Sequence, residues 1–589
     1  MRATLTFLSA AMLFASAALA GEAAPPPAQP AAGEVTEIRA VCRNGQTFVT
    51  WKDAAEGEAA AGLRYALYRA DGPITQENLA AAQCLQKGIY YNSARLYGSA
   101  FCEKSRLDPA KPQVVIEDGG KPLPMWSGVT AVTVQKDGKS YYAVLATDAK
   151  GTPVTKVVPG KSATTEAVQE KVGAIQPILC EGLKKAPGAS PAPASSFGKK
   201  LPMQVDLHAS SGYASDKLYG AGDAYLYFAT PQMGYRDGLQ GSFVVRENQG
   251  KSLSLSAFES LENPAGNPVN LCFETYWFGY LCVPQWADHK EPRAYPFTEN
   301  RMLWVIDWVA RKYDVDTNRI YAGGGSMGAW GSSTFAFRHP EIFAAVYPNR
   351  PRTRQRGMPS LAKLPPGQKE AMMDDGKTPY LERMDMVKFA SEHHEDLPVY
   401  IWCCGRRDGF ASWQEQVDLV KALTASHHGF AFAWNNGDHS SGGYPMGKVA
   451  KYFGSDKFAR NQSYPAFGNS SINDNMGNGD PKDGDLGNDD PKKGPVEVFG
   501  INLGFIWKDV VDEPGKWSVK LSNDLAKAEM TVDVTPRRCQ QFKLKAGDKL
   551  KWTNSAGGAG EATADQWGLV TIEKVKIAPG AESVLTITK

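Results

Sequence analysis

A serine flanked by small residues is the first candidate for chemistry in this 589-residue chain. Residues 324–328 read G-G-S-M-G, a G-x-S-x-G pattern centred on Ser326, with an apolar run at 318–322 before it and helix-forming residues at 329–337 after it. A strand, a tight turn and a helix in that order form a nucleophile elbow, which exposes a serine hydroxyl for attack on a carbonyl carbon. Because such a turn is strained, we expect the neighbours of Ser326 to be small, and the glycines at 324, 325 and 328 meet that need.

A serine nucleophile needs a base, and the chain has eight histidines. In α/β-hydrolases the order along the chain is Ser, acid, His, which excludes His208 and His289. Five others lie at predicted helix ends or in polar stretches: His339, His393, His394, His427 and His428. His439 remains, in the loop N-N-G-D-H-S-S-G that follows the apolar run 430–434. We predict that His439 is the base.

The acid must orient and stabilise the imidazolium. Asp408 follows the apolar run 399–404 by a short turn and lies between Ser326 and His439 in the chain, so we predict it as the acid. Asp438, next to His439, is the alternative carboxylate, although adjacent loop residues rarely face each other.

An oxyanion hole needs backbone N–H groups aimed at the developing negative charge. Met327, the residue after the nucleophile, supplies one such group at the start of the predicted helix. The second should come from the loop L-H-A-S-S-G at 207–212, where either Ala209 or Ser210 is the candidate donor.

These residues require an α/β sheet to position them. From 201 to 455, strand-like runs alternate with helical ones, a pattern typical of a single α/β domain. Thr298 is placed to cap a helix over 298–313. The strand candidates are 203–208, 271–277, 318–323, 343–347, 399–404 and 430–434. We therefore predict an α/β-hydrolase fold with a β domain on each side.

The preceding segment, 34–184, is β-like, with candidate strands at 46–51, 63–68 and 141–146. An early Trp51, a Y-A-L-Y-R run and a late Y-Y-A-V run make it resemble a fibronectin type III module, apart from an insertion around 80–125. That resemblance implies a spacer or binding domain. At the other end, alternating runs over 495–589 predict a small β-sandwich.

Three segments are predicted linkers: 21–33 and 185–200, rich in Pro and Ala, and 456–494, rich in Asp, Asn and Gly. The clustered carboxylates of the third are candidate ligands for a structural calcium ion, since hard cations prefer oxygen donors. These candidates are Asp474, Asp480, Asp483 and Asp485. Their spacing matches no complete EF-hand loop, which favours a flexible loop over a calcium site.

The amino terminus predicts export. Residues 1–20 combine Met1-Arg2, an apolar run and a terminal A-L-A, the pattern of a secretory signal peptide, so we expect a secreted or periplasmic protein. Outside the cytosol disulfides are permitted, and Cys84–Cys102 and Cys272–Cys282 are the expected local pairs among nine cysteines.

The charge and hydropathy of the sequence limit the classes of partner that the protein can bind. The 65 basic and 63 acidic side chains nearly cancel, which offers no basis for binding nucleic acid or an anionic membrane. After the signal peptide no apolar run is long enough to span a membrane. The sequence does not indicate an oligomeric state.

Several motifs in 200–455 together resemble the family-1 carbohydrate esterase and polyhydroxybutyrate depolymerase group. They are L-H-A at 207–209, Y-D-V-D-T-N-R-I-Y at 313–321, G-G-S-M-G at 324–328 and D-H at 438–439. The resemblance implies cofactor-free ester hydrolysis through an acyl-enzyme, with Ser326, Asp408 and His439 as the triad and Met327 and Ser210 at the oxyanion hole. The loop N-G-D-H-S-S-G-G-Y-P departs from the family's G-G-H-x-W-P-G.

The expected substrate is an ester carried by a polymer, such as an acetylated or feruloylated polysaccharide or a polyester. Trp277, Phe278 and Trp330 lie near the predicted catalytic edge and are candidate substrate-binding aromatics. Two other interpretations remain open. One is a serine peptidase resembling prolyl oligopeptidase, and the other is a hydrolase fold that has lost activity and serves in carbohydrate binding or adhesion.

Overall fold

The computed structural model describes thirteen stretches of the chain, and only these are discussed below. They are 33–94, 114–116, 120–179, 200–208, 224–228, 243–247, 251–258, 272–274, 277–282, 293–354, 372–439, 445–488 and 492–589. The predicted signal peptide, nearly all of both Pro/Ala-rich linkers, Ala209, Ser210 and Cys102 lie outside the described residues.

Residues 33–179 include seven antiparallel strands in two sheets. The strands are β1 Thr36–Arg43, β2 Gln46–Lys52, β3 Arg64–Ala70, β4 Gln83–Tyr90, β5 Ser127–Thr133, β6 Gly138–Thr147 and β7 Val168–Glu170, with short 3-10 helices at Gly57–Ala60 and Leu79–Ala81. The sheet orders are β1-β2-β5 and β4-β3-β6-β7. The two sheets share a core in which Trp51 packs against Tyr65. The β prediction for this segment is confirmed, and its assignment to fibronectin type III stays a prediction.

A ten-stranded sheet forms the centre of the molecule. Its strands are β8 Ile178–Leu179, β9 Leu201–His208, β10 Ala224–Phe228, β11 Phe243–Glu247, β12 Leu253–Phe258, β16 Val315–Gly325, β17 Ala345–Asn349, β19 Val399–Gly405, β20 Phe430–Asn435 and β22 Phe499–Ile501. Their order is β22-β20-β19-β17-β16-β9-β12-β11-β10-β8. The six strands from β20 to β12 are parallel, and the outer strands are antiparallel.

The central strands alternate large and small side chains between the two faces of the sheet. In β19, Tyr400 and Trp402 enter the core that the helices cover, whereas Val399 and Ile401 face the opposite core. This period of two lets each face pack a different layer. The helices are α1 Phe297–Lys312, α2 Met327–Arg338, α3 Tyr380–Arg383, α4 Met386–Glu392, α5 Trp413–Ala425 and α6 Met446–Tyr452. In the described residues no helix is both long and apolar enough to cross a membrane.

Two sequence predictions for this region need correction. Helix α1 begins at Phe297, so Thr298 is its second residue rather than its cap. Of the predicted strand 271–277, the structure shows β13 Cys272–Glu274, which belongs to a separate small sheet. Its partners are β14 Tyr280–Cys282, β15 Arg293–Tyr295 and β18 Met372–Met373.

That the carboxyl-terminal segment is a separate β-sandwich domain stays a prediction. Its strands form two antiparallel sheets that share one apolar core, a unit called the carboxyl-terminal sandwich below. The strands are β21 Tyr464–Gly468, β25 Met530–Arg537 and β28 Ile572–Ile577 in one sheet, and β23 Phe505–Glu513, β24 Lys516–Asn523, β29 Ser583–Thr588, β26 Lys549–Asn554 and β27 Ala559–Thr563 in the other. Their core is continuous with one face of the central sheet, where Ile401 and Ala433 join Val519 and Val534. This sandwich therefore covers a face that helices cover in a typical α/β protein.

The predicted linker 456–494 is part of this packed unit. Its strand β21 pairs with β25, and a 3-10 helix spans Ser455–Lys457 just before it. Farther along, β22 crosses back to extend the central sheet beside β20. Consecutive strands here belong to different sheets, because β21 pairs in the carboxyl-terminal sheet and the later β22 pairs in the central sheet. The predicted boundary at 494 therefore does not separate two independent domains.

The cysteine predictions have different outcomes. Cys84 is a free, half-buried thiol, so the expected Cys84–Cys102 disulfide is not formed. The backbone register sets Cys272 opposite Cys282 in neighbouring antiparallel strands, and their disulfide stays a prediction. Among the described residues four other thiols are also free: Cys42, Cys403, Cys404 and Cys539.

Candidate active site

Ser326 lies on a sharp turn between β16 and α2. Its φ of 54° and ψ of −116° are a strained conformation that non-glycine residues rarely adopt. A Cβ on Gly324 would lie 2.4 Å from the backbone of Gly328, and one on Gly328 would lie 2.0 Å from the carbonyl oxygen of Leu207. A Cβ on Gly325 would meet nothing within 4 Å. The expected need for small residues is therefore confirmed at 324 and 328, whereas a side chain at 325 would meet open space.

Three side chains that are distant in sequence form one hydrogen-bonded chain. The Oγ of Ser326 lies 2.8 Å from Nε2 of His439, and Nδ1 of His439 lies 2.7 Å from Oδ2 of Asp408. Ser326 follows β16, Asp408 follows β19 and His439 follows β20, so all three lie at the carboxyl edge of the parallel strands. This is the arrangement in which an imidazole withdraws the serine proton while a carboxylate orients it.

The carboxylate that hydrogen-bonds to Nδ1 of His439 is that of Asp408, the predicted acid. The Asp408 side chain is fully buried, whereas Asp438 is exposed. The second oxygen of Asp408, Oδ1, accepts backbone N–H groups from Phe410 at 2.9 Å and Ala411 at 3.0 Å. Both carboxylate oxygens therefore have partners, which compensates the cost of burying the charge.

Two buried thiols lie in the strand that carries the acid. The Sγ of Cys404 is 4.0 Å from Oδ2 of Asp408. Burial, followed by the nearby Asp408 charge, raises the pKa of Cys404 well above its usual value, and burial raises the pKa of Cys403 to about 12. Both thiols are therefore neutral at physiological pH and add no negative charge beside the acid.

The oxyanion role of Met327 stays a prediction. Met327 is the first residue of α2, so its amide belongs to the turn whose N–H groups have no partner within the helix. The contact of Gly328 with the carbonyl of Leu207 brings the end of β9 beside this turn. The predicted second donor, Ala209 or Ser210, comes one or two residues after β9 and lies outside the described residues.

Two arginines that the sequence analysis did not single out hold the histidine loop. Arg350, just after β17, donates its guanidinium N–H to the carbonyl of His439. Arg407 donates through Nε to the carbonyl of Asn436 at 2.7 Å and through its backbone N–H to Gly437 at 2.9 Å. The loops carrying the acid and the base are thus tied together. The basic run R-P-R-T-R at 350–354, at the end of a central strand, was the available signal.

The predicted substrate-binding aromatics are core residues. Trp277, Phe278 and Trp330 are 2%, 3% and 1% exposed. The Trp277 ring packs against Gly331 of α2, and Phe278 and Trp330 share a small cluster with Tyr380. The three residues lie near α2, the helix that follows Ser326, but their side chains pack in the core beside it and do not face solvent.

Among the described residues, Phe410 is an exposed aromatic side chain beside the triad. Its side chain is 66% exposed, and its ring centroid lies 4.9 Å from that of His439. Its backbone N–H donates to the acid, so Asp408 itself fixes where the ring is presented. The sequence D-G-F directly after the acid run was the signal that could have identified it.

The Asp/Asn/Gly-rich segment surrounds an arginine of the acid loop. Arg406 is 1% exposed, and its guanidinium donates to the carbonyls of Met476, Asp483 and Asp485. The ring of Trp413 lies 4.8 Å from this guanidinium, and its Nε1 donates to the same Met476 carbonyl. Arg406 thus supplies the positive charge around which this loop folds.

The carboxylates proposed as calcium ligands have other partners. Asp480 accepts from the backbone N–H of Lys482, Asp483 from Asn478 and Gly484, and Asp485 from Asn475. Across the described stretches of the chain, no three acidic, histidine or cysteine side chains gather into a group that could hold a metal ion. The predicted flexible loop is instead ordered by these turns and by Arg406.

Comparison with known proteins gives one family match. Residues 300–462 match the model of the Prolyl oligopeptidase family, a span of less than a third of the chain. No curated protein matches the sequence. The serine, acid and base all lie within this span, and they have triad geometry on a largely parallel sheet. The catalytic unit is a serine hydrolase of the α/β-hydrolase type, and the match leaves open whether it cleaves esters or peptides.

Several solved structures are similar over part of the chain. A ferulic acid esterase is 18% identical, with 42% of this chain and 81% of that chain covered and a TM-score of 0.25. An S-formylglutathione hydrolase from Agrobacterium tumefaciens is 13% identical, with 45% of this chain and 84% of that chain covered and a TM-score of 0.28. The Bacillus cereus carboxylesterase is 17% identical, with 43% of this chain and 85% of that chain covered and a TM-score of 0.23.

Proposed function

We propose that this protein hydrolyses carboxylic esters carried by polymers, such as an acetylated or feruloylated polysaccharide or a polyester. The observation that carries the proposal is the hydrogen-bonded chain from Ser326 through His439 to Asp408. Such a chain activates a serine hydroxyl that is otherwise a weak nucleophile at neutral pH.

The reaction proceeds in two steps. Ser326 Oγ attacks the acyl carbon while His439 Nε2 takes its proton, and buried Asp408 stabilises the imidazolium through Nδ1. The amide of Met327 faces the developing oxyanion. His439 then protonates the leaving alkoxide, which departs as an alcohol. Water, deprotonated by the same imidazole, releases the acid and regenerates Ser326. No cofactor takes part.

The exposure of the site supports an ester on a polymer. Ser326 is exposed, and Phe410 beside it presents most of its ring to solvent. A side-group ester on a bulky chain can reach such a serine without the chain being enclosed. An aromatic or sugar leaving group would contact the Phe410 ring on the His439 side, where the leaving group must depart.

A serine peptidase is the second candidate, and the match to the Prolyl oligopeptidase family favours it. Members of that family normally carry a large propeller before the catalytic domain. The described residues of 33–179 instead form seven strands in two sheets, which is too few for a ring of four-stranded blades. We therefore place the esterase first.

We further propose that the protein is exported through the signal peptide of residues 1–20 and acts outside the cytosol. The apolar run of that segment and its A-L-A ending support this. We propose neither nucleic acid nor membrane as a partner, because acidic and basic side chains nearly balance.

Replacement of the nucleophile tests the proposal. Ser326→Ala should abolish turnover of a chromogenic ester and labelling by a fluorophosphonate, which reacts only with an activated serine. Ser332→Ala, in the same helix, is the matched control, since its hydroxyl only donates to the carbonyl of Ala329. Full activity of Ser326→Ala would overturn the mechanism.

A substrate panel separates the two candidates. Wild type and Ser326→Ala should be compared on acetylated xylan, feruloyl esters, polyhydroxybutyrate, an aromatic polyester and aminoacyl-proline amides, with product mass as the readout. Turnover of esters alone supports the proposed function. Faster turnover of the proline amides than of every ester would replace it with the peptidase.

A further inference from the structure

A polar cleft lies in the carboxyl-terminal part of the molecule, and none of its lining residues belongs to the triad. Its volume is about 430 Å³, within the range of small-molecule sites. Three separate stretches of chain form its walls: residues 457–463, residues 507–512 of β23, and Gln540 with Gln541. We call this the amide cleft, after the four primary amides that line it: Asn461, Gln462, Gln540 and Gln541.

The amides are available to a ligand. Asn461, Gln462 and Gln541 are exposed, and within the described residues their side-chain amides have no hydrogen-bond partner. Gln540 uses one N–H to reach the carbonyl of Arg538 at 2.7 Å, which holds it at the cleft wall. Each primary amide offers both a donor and an acceptor, the combination that pairs with adjacent hydroxyl groups.

The cleft walls are held in place before any ligand binds. The carboxylate of Asp512 accepts the backbone N–H groups of Gln540, Gln541 and Phe542, which fixes the loop carrying two of the amides. Strand β23 also contains a bulge between Lys508 and Val511. Bulges of this kind redirect side chains and are often found beside binding sites.

An aromatic ring completes the lining. Trp507 is half-buried, with its ring centroid 5.5 Å from Phe453, 5.7 Å from Phe458 and 5.9 Å from Phe467. The Nζ of Lys457, which also lines the cleft, lies 4.6 Å from the same centroid. These three rings back the indole, and the Lys457 ammonium lies over its π-face. A sugar ring would displace the Lys457 side chain and place its own positively polarised C–H groups on that face.

Charge excludes a strongly ionic ligand. The cleft contains two lysines, Lys457 and Lys508, and two aspartates, Asp509 and Asp512. Lys508 is paired with Glu582 at 2.5 Å and Asp509 with Lys520 at 2.7 Å, so these charges are largely compensated. The lining residues include no arginine, the side chain that binds phosphate or carboxylate groups through paired hydrogen bonds.

We propose that the amide cleft binds a neutral oligosaccharide, with hydroxyl groups on the amides and a sugar face on Trp507. This inference does not depend on the proposed ester hydrolysis. It gives the carboxyl-terminal sandwich a second function besides covering the central sheet, namely attachment of the enzyme to a polysaccharide.

The test measures binding of xylohexaose, cellohexaose and mannohexaose to the full-length protein by isothermal titration calorimetry. We expect at least one to bind wild type, and the triple variant N461A/Q462A/Q541A to bind it at least about tenfold more weakly, as expected for three lost hydrogen bonds. The three replaced side chains are exposed and make no internal bond, so the variant should fold.

Gln169→Ala, an exposed amide on β7, is the matched control and should bind as wild type does. Turnover of a small soluble ester should be unchanged in all three proteins. Undiminished binding in the triple variant would place any sugar site elsewhere and overturn the proposal, as would the absence of binding to all three hexasaccharides at millimolar concentration. Failure of ester turnover with retained sugar binding would overturn the proposed enzymatic function alone.

Discussion

At the scale of single residues, the site depends on how one carboxylate is buried. Asp408 gives one oxygen to His439 and the other to two backbone N–H groups, so the imidazole is held in a single tautomer with Nε2 toward the serine. The alternative carboxylate, Asp438, is exposed to solvent on the loop that presents the base.

Asp408→Asn should lower kcat by about 10³- to 10⁴-fold, because the amide cannot stabilise the imidazolium and favours the wrong tautomer. KM should change little, since Asp408 lies behind the histidine. Steady-state kinetics with a chromogenic ester measures both constants. Asp438→Asn is the control and should keep kcat within a few-fold of wild type. Equal losses in the two variants would contradict the assignment of the acid.

Phe410→Ala should raise KM for esters with aromatic leaving groups by about tenfold, because an exposed ring beside the base is covered when such a substrate binds. The kcat should stay within a few-fold, since the backbone N–H that donates to Asp408 remains. A methyl ester should show a smaller effect. Leu525→Ala, another exposed apolar side chain, serves as control. Identical KM changes for both ester types would argue against a leaving-group contact.

At the scale of elements, the catalytic loops are held by segments that follow them in the chain. The acid loop after β19 is tied to the base loop after β20 through Arg407, and Arg406 ties it to the loop over 474–488. The latter loop has almost no apolar side chains, yet it is ordered because three of its carbonyls converge on one buried guanidinium. Charge-assisted hydrogen bonds replace hydrophobic burial as its source of order.

Arg406→Met should lower the free energy of unfolding by about 3 kcal/mol, since three carbonyls of this loop lose a charged donor. Activity should fall as well, because the acid lies two residues away. Urea denaturation measures the stability change. Arg407→Met, at the adjacent exposed position, should cost less than about 1 kcal/mol. A loss of equal size for both arginines would mean that the buried guanidinium does not hold the loop.

At the scale of the whole molecule, the carboxyl-terminal sandwich and the α/β unit form one packed body. Their shared core lies against one face of the central sheet, and two arginines of the sandwich reach into the α/β unit. Arg538 donates to the carbonyls of Ala344 at 2.7 Å and Leu397 at 3.1 Å. Arg537 pairs with Asp396 at 3.0 Å and also donates to two carbonyls.

Deletion of residues 495–589 should therefore yield little soluble protein, because it uncovers an apolar face of the central sheet. Deletion of residues 34–170 is the matched comparison, since that sandwich has a core of its own. It should leave a soluble protein that still turns over a chromogenic ester. Soluble yield and activity are the readouts, and a soluble, active protein lacking 495–589 would contradict the single packed body.

The sequence alone was sufficient for the elements that depend on local pattern. The G-x-S-x-G turn, the triad order and the apolar strands preceding Ser326, Asp408 and His439 are all set by neighbouring residues and by chain order. Strand period and turn chemistry act over a few residues, and the carboxyl ends of parallel strands meet at one edge. For that reason the triad was predictable without coordinates.

The rest was decided by contacts between distant segments. An aromatic residue near a catalytic edge can face solvent or the core, and only packing placed Trp277, Phe278 and Trp330 inside and Phe410 outside. An acidic, glycine-rich run has no apolar pattern, so nothing local indicated that Arg406 would order it. The segment that packs on the second face of the central sheet was also decided by the tertiary structure. Burial of an apolar face is non-directional, so the sequence of that face does not specify which segment will cover it.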